Sequence, residues 1–125
     1  MSFDIRFIGN SNFANQGNVS LEMRPGKTYD EILDVADLGA VYGKFSFQGM
    51  STWPVQIDIK YSNWYHPTLA NKEEEIWFDL SSLSVPANTP IIQDIEIPFC
   101  KFLKLTMTPT CKEYVEYATL CLVSA

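Results

Sequence analysis

A strict alternation of apolar and polar residues, with a period of two, runs through most of this chain and leaves little room for any fold not built of β-strands. It is cleanest where Val55, Ile57, Ile59 and Tyr61 alternate with Gln56, Asp58 and Lys60. A run of that kind buries one face of a strand and wets the other, as antiparallel sheets do.

The same pattern recurs along the chain. Phe3, Ile5 and Phe7 oppose Asp4 and Arg6; after a polar stretch from Asn10 to Asn18, Val19, Leu21 and Met23 oppose Ser20, Glu22 and Arg24 up to a Pro25-Gly26 turn. Thr28 to Leu38 admits two readings. Thr28 and Glu31 mimic a capping box, yet no helical face is sustained, which favours a strand with an irregular edge. Val41, Gly43, Phe45, Phe47 and Gly49 then share one face of a further strand.

Ser62 to Glu75 reads as a long connection, Ile76, Phe78 and Leu80 as inward residues of the next strand, and Ser81 to Pro90 as a loop. In Ile91 to Phe99 the expected inward residues are Ile95, Ile97 and Phe99, with Pro98 demoting the end of the strand. Leu103, Leu105 and Met107 follow. In the closing strand Tyr114, Glu116, Ala118, Leu120 and Leu122 oppose Val115, Tyr117, Thr119, Cys121 and Val123. Both faces of that strand are fairly apolar, so it belongs centrally or against a partner. About eight short strands with turn chemistry between them predict an all-β fold, an antiparallel β-sandwich that is jelly-roll-like.

With 125 residues, 46% of them hydrophobic, the chain is large enough for one core and shows no repeat or linker that would divide residues 1–125. The net charge of −6 argues against nucleic acid and anionic membrane as partners, since both require a basic footprint. No signal-like stretch or spanning segment is evident, so a cytoplasmic site of synthesis is expected. Cys100, Cys111 and Cys121 follow no metal-type spacing and read as reduced, half-buried thiols.

Catalytic chemistry finds little purchase. The one histidine, His66, lies in a loop sequence with no nucleophile signature beside it. Asp30, Glu31, Asp34 and Asp37 lack the spacing of a calcium loop, and no glycine-rich phosphate cradle opens a helix. The reading is therefore no enzyme, no metal and no cofactor. Aromatic placement is more informative. Trp53, Tyr61, Trp64, Tyr65 and His66 gather about the strongest strand, and alternation turns Trp77 outward. Such residues either plug the ends of a sandwich or form a contact surface for protein or sugar rings.

The second half, from Phe45 to Val123, resembles small β-sandwich proteins of bacteriophage particles. The likeness rests on the Val55–Tyr61 strand, the stretch Cys100-Lys101-Phe102-Leu103-Lys104-Leu105-Thr106-Met107 and the closing Tyr117-Ala118-Thr119-Leu120. It implies a capsid decoration or tail accessory subunit that binds other virion proteins, self-associates and resides in the virion after synthesis in the host cytoplasm. The Phe102–Thr106 strand is also similar to strands of discoidin-like and carbohydrate-binding sandwiches, which implies a sugar-binding alternative. Expected partner contacts are Trp53, Trp64, Tyr65 and Trp77, with Leu120 and Leu122 on a terminal strand able to pair with a neighbour's sheet edge.

Overall fold

A computed structural model describes residues 4–8, 21–35, 43–63 and 77–124, with residues 4–7 and 124 described at the level of the backbone. Within them lie nine strands: β1 (Asp4–Phe7), β2 (Leu21–Met23), β3 (Tyr29–Asp34), β4 (Lys44–Ser51), β5 (Val55–Ser62), β6 (Phe78–Val85), β7 (Ile91–Glu96), β8 (Phe102–Pro109) and β9 (Glu116–Ser124). One sheet runs β1-β9-β4-β7 with β2 also on β9; the other runs β3-β8-β5-β6. All the strand pairs are antiparallel, and the architecture is a β-sandwich.

The pairing has a simple logic. Counting outward from the β5–β6 connection, each strand pairs with the one equally far along on the other side: β5 with β6, β4 with β7, β3 with β8 and β2 with β9. The chain is thus one long antiparallel ribbon, and rolling it up adds the β5·β8 and β4·β9 pairs. β1 prolongs the edge begun by β2, matching Asp4–Phe7 to Ser124–Cys121, and the Ile8 N–H donates to the Leu120 carbonyl at 2.8 Å.

The core follows the alternation. Phe45 and Phe47 of β4, Val55, Ile57 and Ile59 of β5, Leu103, Leu105 and Met107 of β8, and Ala118, Leu120 and Leu122 of β9 are all buried between the sheets. Removing that apolar surface from water is the main driving force for bringing the two layers together. The Thr28–Leu38 ambiguity resolves as a strand over Tyr29–Asp34, with Leu33 buried. The lack of a helical apolar face and the pairing of all six residues with β8 explain the choice.

Three expectations need correction. β6 continues through Ser81–Val85, where a loop was expected; Leu83 and Val85 are buried against Ser82 and Ser84 outward. Serine has low strand propensity, but two alternating apolar residues over an open core override it. The register steps from Ile59↔Ser81 to Lys60↔Asp79, leaving Leu80 as the extra residue of a bulge. The bulge sets Phe78 opposite Tyr61, on the side of the core, but as the first residue of β6 Phe78, expected inward, is left half exposed. Likewise Phe99 was expected inward and is fully exposed: the ladder ends when the Ile97 N–H bonds to the Gly43 carbonyl, and Pro98 cannot extend it. Gly43 opens β4 with φ of 69°, a conformation that a side chain disfavours.

Gly49 is required for space. A Cβ there would come within 2.8 Å of Leu120 Cδ2 and 3.2 Å of Phe47 Cε1, both buried. Gly49→Ala is expected to cost about 1–3 kcal/mol by overpacking, read as a lowered midpoint in thermal and urea unfolding. An unchanged midpoint would show that Leu120 can re-pack without cost.

Candidate contact surface

The two outer faces of the sandwich differ. On the β3-β8-β5-β6 sheet the outward polar groups bond to one another. Thr106 Oγ1 donates to Asp30 Oδ1 at 2.7 Å, Ser82 Oγ donates to Asp58 Oδ1 at 2.8 Å, and Gln56 Nε2 reaches both Ser82 Oγ and Asp58 Oδ1. Lys60 and Lys104 stand directly across from each other, a like-charge pairing that favours their divergence. Lys60 leans to Asp79 at 3.9 Å, and Lys104 Nζ lies 4.8 Å from the centre of the Trp77 ring. This face is polar and largely satisfied within the chain.

The outer face of the five-stranded sheet is more apolar. Register sets Gln48 between Ile92 and Cys121, Ser46 between Asp94 and Val123, and Met50 beside Thr119. Ile92 is 72% exposed and Met50 is half exposed. Ile5 and Phe7 of β1 occupy the register positions opposite Val123 and Cys121. Between β4, β9 and the start of β7 lies a groove of about 440 Å³, walled by Met50, Pro90, Cys121 and Val123 with Gln48 and Thr119. Among the described residues none of its lining side chains is charged.

One end of the sandwich gathers further aromatics. Trp53, 51% exposed, rides the β4–β5 turn, which is tied to β9 where Thr52 N–H donates to the Tyr117 carbonyl (3.0 Å) and Tyr117 N–H to Thr52 Oγ1 (3.1 Å). Thr110 N–H bonds to the Pro54 carbonyl, so the loop carrying exposed Tyr114 is bound to the same turn. Beneath that loop Glu116 is buried at 1% exposure; its Oε1 accepts from the Cys111 N–H at 2.6 Å, while Oε2 has no hydrogen-bond partner among the described residues.

The structure separates the residues that the sequence grouped. Trp53 precedes β5 and Trp77 precedes β6, whose first residue Phe78 pairs with Tyr61 near the far end of β5. The two tryptophans therefore sit at opposite ends of a strand spanning about 25 Å. Trp77 is half-buried under Lys104. Trp64, Tyr65 and His66 lie outside the described residues.

Leu120 and Leu122, expected as contacts, are 1% exposed core residues, and both edges of β9 are occupied, by β4 on one side and by β1 and β2 on the other. The apolar character of the closing strand reflects its central position. Its outward residues Tyr117, Thr119, Cys121 and Val123 are the ones that reach the surface face. Ile92, Met50 and Phe99 went unrecognised because each breaks or leaves the alternation that located the core. An isoleucine out of phase beside Ile91 was the available signal.

The three cysteines are unpaired and half-buried, as their spacing implied. Burial pushes the Cys100 and Cys121 thiols above the usual cysteine range. Both are expected to alkylate more slowly in the folded chain at pH 8 than in urea, and to accelerate only at higher pH as thiolate forms; mass spectrometry of iodoacetamide-treated protein reads this directly. Equal rates in the two states would contradict it. Glu116→Ala, which strands the Cys111 N–H, is expected to destabilise by roughly 1–3 kcal/mol in urea unfolding.

Among the described residues no group of three His, Cys, Asp or Glu side chains is arranged to hold a metal ion, and no helix is long and apolar enough to cross a membrane. Comparison with known proteins finds no matching family model, and no match among curated proteins or solved structures.

Proposed function

We propose that this chain is a non-enzymatic structural subunit of a bacteriophage particle, a capsid decoration or tail accessory protein that works through protein–protein contacts. The observation that carries the reading is the contrast between the two outer faces: one polar and internally bonded, the other presenting Met50, Ile92, Cys121 and Val123 around an uncharged groove. The rolled-ribbon pairing supports it further. We read the strand orders β1-β9-β4-β7 and β3-β8-β5-β6 as a jelly roll, an architecture frequent in capsid and lectin domains. A rigid two-layer scaffold presents broad faces, and self-association among identical copies is natural for such subunits. The net charge of −6 turns the partner choice away from nucleic acid and anionic lipid.

Light scattering over a wide concentration range tests this reading. The wild type is expected to form a discrete oligomer, and the double variant Met50→Asp, Ile92→Asp to weaken association at least tenfold with little change in melting temperature. Both side chains are already solvated, so folding loses little. A wild type that is strictly monomeric alone would turn attention to the second reading.

That reading, a carbohydrate-binding module, is favoured by one arrangement: exposed Trp53 on the β4–β5 turn, Tyr114 on the loop before β9 and Tyr117 at the start of β9 lie on segments hydrogen-bonded to one another at one end of the sandwich. It expects glycan retention that Trp53→Ala abolishes while the circular dichroism spectrum stays unchanged. Equal retention by both proteins removes it.

A further inference from the structure

We draw no further inference here: the strongest candidate, the apolar groove on the outer face of the five-stranded sheet between β4, β9 and the start of β7, is an unpartnered face, and nothing in the structure shows what covers it.

Discussion

The closing strand is the member on which the rest of the sandwich depends. β9 is hydrogen-bonded along both edges, to β4 on one side and to β2 and β1 in succession on the other, so the last strand of the chain holds together three that precede it. Its inward residues Ala118, Leu120 and Leu122 are buried in the core, and Gly49 on β4 exists to let Leu120 approach. Because β9 pairs with the earliest strands, the five-stranded sheet is complete only when the chain ends meet. Contacts of such long sequence separation make the loop-closure entropy a large part of what burial must offset.

The ribbon logic separates stability from recognition. Inward residues of β4, β5, β8 and β9 supply most of the buried apolar core, and the outward residues are left to bond among themselves or face solvent. On one sheet they bond sideways: Gln56, Asp58 and Ser82 form one linked set, Asp30 and Thr106 another. On the other sheet Met50, Ile92, Cys121 and Val123 cannot do so. That difference between the faces is what the proposed contact reading rests on.

Irregularities in the ribbon also shape the surface. The Leu80 bulge sets Phe78 opposite Tyr61, with ring centres 5.7 Å apart, where Phe78 stays half exposed at the start of β6, and Pro98 releases the chain so that Phe99 stands clear. Each aromatic ring that meets solvent there lies beside a local departure from ladder pairing. Bulges and prolines at strand ends commonly re-aim side chains in this way.

The amino-acid sequence by itself determined the fold class and most of the core, because a period of two is a local property. Val55, Ile57, Ile59, Leu103, Leu105 and Met107 could be assigned inward from alternation alone, and Tyr29–Asp34 could be favoured as strand for want of a helical face. Only the tertiary structure decided which strands neighbour one another, since pairing β2 with β9 or β3 with β8 joins residues that no local pattern relates. For that reason Leu120 and Leu122 read equally well as a sticky terminal strand or as the centre of a sheet, and the occupied edges of β9 settled the matter. Phe78 and Phe99 ended in solvent because each lies at or beyond a strand end, where alternation does not say whether the core still covers the inward side; only Pro98 gave a warning, and only for the second. The grouping of Trp53 with Trp77 dissolved for the same reason: nearness along the chain is not nearness in space when an eight-residue strand lies between them.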